Sequence, residues 1–151
     1  FHTHQIPESQ YDDRGDQKFV HHDRRIAIPG FDEYGIGSYP AVPAAGLAQA
    51  LNLKLGVMTT SNSLDENDDD RRLIAASGGA VKEMEAAAVA YVCEMMAIPV
   101  MGLKAITDLV DHHTATADQF DANLLMASRR LAEKLLQVID FCAPRSIADL
   151  A

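Results

Sequence analysis

A chain of 151 residues, 48% of them apolar, is long enough for one domain with a sizeable core and too apolar to be disordered throughout. Its 22 acidic residues outnumber 13 basic ones, giving a net charge of −9, so nucleic acid and anionic membranes are poor partners. That charge places no restriction on a small neutral ligand. No apolar run approaches the ~18 residues of a membrane span, and no signal-peptide pattern opens the chain. Cys93 and Cys142 lie 49 positions apart without a C-x-x-C, which reads as two buried free thiols in a reducing, cytoplasmic setting. The first residue is Phe1 and not Met, so the expectation is a piece of a longer chain.

Residues 1–21 are polar and aperiodic and read as a loop or loose leader, ahead of a domain over 22–151. His2 and His4, and the pair His21 and His22, have no acidic or cysteine partner at ligand spacing, so they read as exposed histidines. No metal is expected. From His22, Pro29, Gly30, Gly35 and Gly37 punctuate an ordered, irregular loop. A short helix is predicted over 44–51 and a buried strand over 53–60, which Ser61-Asn62-Ser63 ends. The acidic run 65–70 caps and solvates a helix near 69–77 that stops before Gly78-Gly79. A short strand over 80–84 leads into a helix over 85–97 with almost no charge on it, expected to be buried on most sides. Pro99 opens another strand, PVMGLKAIT, ending at Thr107-Asp108. Thr116 and Gln119 form a capping box for an amphipathic helix over 117–142. Its stripe of Phe120, Leu124, Leu131, Leu135, Val138 and Cys142 reads as ordinary core, and Pro144 ends it.

Alternating strands and helices point to an α/β layered sheet, whose ligand sites lie at the carboxyl ends of strands. Three such ends carry chemistry: Asn62, Glu83-Met84-Glu85 and Asp108. Residues i and i+2 of an extended chain face the same way, which pairs Glu83 with Glu85. Glu85 either caps the apolar helix that follows or accepts hydrogen bonds from ligand hydroxyls; two adjacent ribose hydroxyls suit one bidentate carboxylate. Asp108 ends a strongly apolar strand, where it is either a turn cap or a partly desolvated general acid. Lys104 lies four residues earlier and either snorkels or pairs with an acid.

The string VKEMEAAAVAYV, followed by IPVMGLKAITDLVD, resembles the nucleoside phosphorylase superfamily, in which M-E-x-x-A and a later S/T-D recur. HDRRIAIPGFDEYGIG together with LKAITDLVD is very similar to the plant-type 5′-methylthioadenosine nucleosidases, and the tail ending SIADL looks like theirs. The resemblance covers about residues 22–150. It implies an α/β, three-layer phosphorylase/hydrolase-like fold with a central mixed sheet flanked by helices, lacking its N-terminal part. It implies hydrolysis of the N-glycosidic bond of 5′-methylthioadenosine, with S-adenosylhomocysteine as a second substrate, releasing adenine in methionine salvage. No cofactor is implied.

Residue by residue, Glu85 matches the glutamate that holds the ribose hydroxyls, and Met84 the methionine packed against the sugar. Asp108 matches the aspartate that protonates N7 of adenine, and Leu64 falls near the position that stacks on the base. Thr107 and Lys104 stand where serine or threonine and arginine or lysine occur in relatives. Asn62 and Ser61 depart from the family's usual aspartate and glycine in the adenine loop. The stretch 26–43 resembles the family's dimer contact, which implies a homodimer. The family's water-activating glutamate belongs to a longer N-terminal part; Glu8 sits in the polar leader and is not nominated for that role. Two alternatives stay open: a phosphorylase of the same superfamily, and a non-catalytic nucleoside-binding relative.

Overall fold

The computed structural model describes residues 18–22, 37–64, 67–109 and 116–151. The histidine motif at His2 and His4, the loop over 23–36 and His112-His113 lie outside them, as do the side chains of His21, His22 and the expected cap Thr116. The chain divides into two units, residues 1–102 with 150–151, and residues 103–149.

The first unit is built on four strands in the order β2-β1-β3-β4. These are β1 (Lys18–His22), β2 (Gly37–Pro40), β3 (Val57–Ser61) and β4 (Gly79–Glu83). β1 runs antiparallel to β2 and parallel to β3, and β3 runs parallel to β4, so the sheet is mixed and the class is α/β. The loose-leader reading of 1–21 fails at its end, because β1 is an interior strand. Phe19 and Val20 are both buried. Consecutive strand residues point to opposite faces, so β1 is covered on both sides. A strand of that kind lacks the alternation that marks a half-exposed one, and five residues give little else to detect. Gly37 opens β2 rather than continuing the loop expected there.

Between β2 and β3 runs α1 (Ala45–Leu51), ended by Asn52 in the left-handed region at φ 51°. The expected strand over 53–60 begins later, at Val57. α2 (Asp68–Ala76) carries the acidic run as a capping feature: the Asn67 side chain accepts from the Asp70 amide and the Asp70 carboxylate from the Asn67 amide, both at 3.0 Å. Gly78, at φ 72°, makes the turn into β4. Gly79 then approaches its neighbours closely, since a Cβ there would lie 2.6 Å from Thr59 Cγ2.

α3 (Ala86–Met95) lies against β1, β2 and β3, burying Ala87 and Ala90. Tyr91 meets Tyr39 of β2 at 5.9 Å between ring centroids. Contrary to the expectation of burial on most sides, Val89, Tyr91, Val92 and Met95 are 45–63% exposed within this chain. Small residues three positions apart, on one helix face, form the seam, and the larger apolar ones lie outside it. No strand is assigned over 99–107. A strand exists only where a neighbour accepts its ladder. Among the described residues outside helices and strands, the backbone bond of this run is Val42 N–H to Val100 O at 2.8 Å.

The second unit carries α4 (Thr116–Cys142), matching the expected helix. Within this chain its stripe is only partly covered. Ala127 and Val138 are buried, whereas Phe120, Leu124 and Leu135 are 42–46% exposed. Cys93 on α3 and Cys142 on α4 are free but half-buried rather than buried. Among the described residues no helix is long and apolar enough to cross a membrane.

α3 stops through a paired carbonyl-capping arrangement: Ile98 N–H donates to Cys93 O at 2.8 Å and Ala97 N–H to Glu94 O at 3.1 Å. Ala97 occupies the left-handed position at φ 53°, where glycine carries no steric penalty. Ala97→Gly is therefore expected to stabilise the fold by about 0.5–1 kcal/mol, read as a raised denaturant midpoint at unchanged slope; a lowered midpoint would contradict the assignment.

Candidate functional site

Parallel pairing aligns strand ends. His22 of β1 is opposite Ser61 of β3, and Thr60 of β3 is opposite Glu83 of β4. The carboxyl ends of β1, β3 and β4 thus lie along one edge of the sheet, where α/β proteins bind ligands.

At the end of β3, Thr59, Thr60 and Ser61 are buried polar residues. Thr59 Oγ1 donates to Val81 O at 2.8 Å, stitching β3 to β4. Ser61 Oγ accepts from the Ser63 amide at 3.2 Å and turns the chain out of the sheet. Beyond it Asn62 is exposed, and Leu64 is 88% exposed. Lys82 of β4 donates to Leu64 O at 3.1 Å and ties this loop to the next strand.

At the end of β4 the two glutamates separate. Glu83 is 7% exposed, and both its oxygens are engaged within the fold. Oε1 accepts from the Thr60 hydroxyl, and Oε2 from the amides of Glu85 at 2.8 Å and Ala86 at 2.7 Å. Thr60 Oγ1 in turn accepts from the Ala87 amide at 2.9 Å. These amides open α3 and have no intrahelical acceptor. Glu83 therefore does the capping that was one reading of Glu85. Glu85 occupies the N-cap position but its side chain makes no cap bond; it is exposed, beside Met84 at 41% exposure. The strand alternation that paired Glu83 with Glu85 ends at Glu83, and Glu85 is already the N-cap of the helix that begins at Ala86.

Lys104, Thr107 and Asp108 belong to the second unit. Lys104 is exposed, and Thr107 and Asp108 are half-buried. Thr107 Oγ1 donates to Asp108 Oδ1 at 2.5 Å. Two side chains of α4 secure this stretch: Asn123 Nδ2 donates to Thr107 O at 2.8 Å, and Gln119 Oε1 accepts from the Leu109 amide at 3.3 Å. Asn123 and Gln119 were missed as site supports. The signal for them was faint: two amide side chains four residues apart, on the first turns of an amphipathic helix already rich in polar side chains. Thr60 was missed as well, although two threonines inside a buried strand call for partners.

Asn123→Ala is expected to loosen the Asp108 stretch, raising amide exchange at Thr107–Leu109 about fivefold, the worth of one such hydrogen bond near 1 kcal/mol. Unchanged exchange would remove Asn123 from that support.

Among the described residues no group of three or more histidine, cysteine or acidic side chains is arranged to hold a metal. A family model described as the phosphorylase superfamily matches residues 11–140. A 5′-methylthioadenosine nucleosidase of Arabidopsis thaliana is 46% identical over 131 residues, 87% of this chain and 49% of that protein. A 5′-methylthioadenosine/S-adenosylhomocysteine nucleosidase of the same plant is 40% identical, over 85% of this chain and 51% of its own length. The solved apo structure of an Arabidopsis thaliana 5′-methylthioadenosine nucleosidase superimposes with a TM-score of 0.81 at 42% identity, covering 94% of this chain and 60% of that one. The chain thus spans about half the length of the relatives it matches. With that match running through most of its length, the chain belongs to the phosphorylase superfamily.

Proposed function

We propose that this chain is part of a nucleosidase that hydrolyses the N-glycosidic bond of 5′-methylthioadenosine, with S-adenosylhomocysteine as a second substrate. The observation that carries the proposal is the 46% identity to a relative of that name, over a span that includes every nominated site residue. The local geometry supports it. Glu85 sets an exposed carboxylate beside the exposed thioether of Met84, at the end of a strand adjoining the one that leads to Leu64.

In this reading Glu85 accepts hydrogen bonds from the ribose 2′ and 3′ hydroxyls, and Met84 packs on the sugar. Leu64 covers the adenine, with Asn62 at its edge. Cleavage of C1′–N9 sends the bonding pair to adenine and leaves an oxocarbenium ion on the ribose. Asp108 donates its proton to N7, so the base departs neutral. Thr107 holds one oxygen of that carboxyl, and the proton given to N7 is the one on the other oxygen. The Glu85 carboxylate also favours the positive charge that develops on the sugar. Water adds to C1′ and loses a proton to a base outside the residues nominated here, giving adenine and methylthioribose. Lys104 and Thr107 complete the substrate-binding set. The reaction belongs to methionine salvage, in the cytoplasm, in a homodimer formed through residues 26–43.

Adenine release from 5′-methylthioadenosine by the full-length protein, followed by chromatography, is expected with or without phosphate. Strict phosphate dependence would make the enzyme a phosphorylase, and ligand binding without release would make it a binding protein. Asp108→Asn is expected to lower turnover ~10²–10⁴-fold, the usual worth of a general acid. Glu85→Gln is expected to weaken binding of a ribonucleoside inhibitor, and an unchanged affinity would count against ribose recognition.

A further inference from the structure

The amides of Glu85, Ala86 and Ala87 are three consecutive donors at the start of α3, and two side chains from adjacent parallel strands take all of them. Thr60 and Glu83 are direct partners in the β3–β4 register. A hydrogen bond between them closes the set, with the threonine hydroxyl donating to Glu83 Oε1 while it accepts from Ala87. One of the three amides is that of Glu85 itself, whose backbone is held at φ −130° and ψ −33°, outside the helix that follows.

We infer that Thr60 and Glu83 are a positioning pair: they aim the Glu85 carboxylate at two adjacent hydroxyls of a furanose, acting through the Glu85 amide. The inference rests on the reading of Glu85 as the ribose ligand. Bidentate recognition needs its groups held to about 0.5 Å and 10–20°. An exposed glutamate on a loose turn does not meet that tolerance, because its own rotamers and those of the backbone add. Here the backbone contribution is removed by a buried carboxylate that would otherwise be costly to bury. The pair therefore sets discrimination between ribose and 2′-deoxyribose, and it leaves recognition of the base alone.

The test uses the full-length protein and three probes: a non-hydrolysable 5′-methylthioadenosine analogue, its 2′-deoxy counterpart, and free adenine. Thr60→Val removes the hydroxyl at similar volume, and Thr60→Ser keeps it. Thr60→Val is expected to reduce the ribo-to-deoxy affinity ratio about tenfold, the scale of a charge-assisted hydrogen bond. Adenine affinity should stay unchanged and Thr60→Ser should restore the ratio. A purely structural role would move adenine and both nucleosides together. Glu85→Gln is the reference. If it loses the ratio while Thr60→Val keeps it, the positioning inference is overturned; if Glu85→Gln also keeps it, the ribose reading falls first. Should Thr60→Val fail to fold, Glu83→Asp preserves the charge and the capping chemistry while drawing the Glu85 amide back by one methylene. The same loss of ratio is expected there, and a wild-type ratio in folded Glu83→Asp would overturn the inference.

Discussion

A carboxylate taken out of water must be compensated where it lies, and Glu83 is compensated by three donors drawn from two elements: the Thr60 hydroxyl on β3 and the first amides of α3. This couples parts that could otherwise vary independently. A one-residue slip of β3 against β4 would turn Thr60 to the other face of the sheet, leaving Glu83 Oε1 and the Ala87 amide without their partners. The same bonds fix where α3 begins, and with it the direction of the Met84-Glu85 corner. Sheet register, helix start and the exposed carboxylate are thus one constraint. Thr59 reinforces it from the other face of β3, through its bond to Val81 O.

Much of the architecture was legible in the residues. The Gly78-Gly79 stop, the acidic cap of α2 and the long period of α4 appear where the sequence put them, because each depends on neighbours a few positions away. The misreadings share a different cause. β1 is a short strand covered on both faces, and nothing local announces that its pairing partner lies some forty residues on. The run over 99–107 has strand composition, but strand structure depends on a neighbour that the residues alone do not specify. α3 and the stripe of α4 were expected to be buried because they are apolar; periodicity says which face is apolar and not what covers it.

The site was legible as a set of residue types and illegible in its division of labour. Met84, Glu85 and Leu64 are exposed beyond the ends of β4 and β3. Glu83 carries the same functional group as Glu85 two residues away, yet one is buried under the helix and the other is exposed beside it. Side-chain chemistry could not rank them, because the rank is decided by the φ of Glu85 and by the presence of Thr60 opposite Glu83. In the second unit the Thr107 hydroxyl bonds Asp108 Oδ1, while Asn123 and Gln119 of α4 hold the flanking backbone at Thr107 and Leu109.

A crystal structure of the full-length protein with a non-hydrolysable 5′-methylthioadenosine analogue tests this account most directly. Both ribose hydroxyls are expected on the Glu85 carboxylate, and N7 of the base within hydrogen-bond distance of Asp108. Glu83 is expected to remain bonded to Thr60 and to the amides of Glu85 and Ala86. Ribose hydroxyls on Glu83, or a base remote from Asp108, would contradict this account.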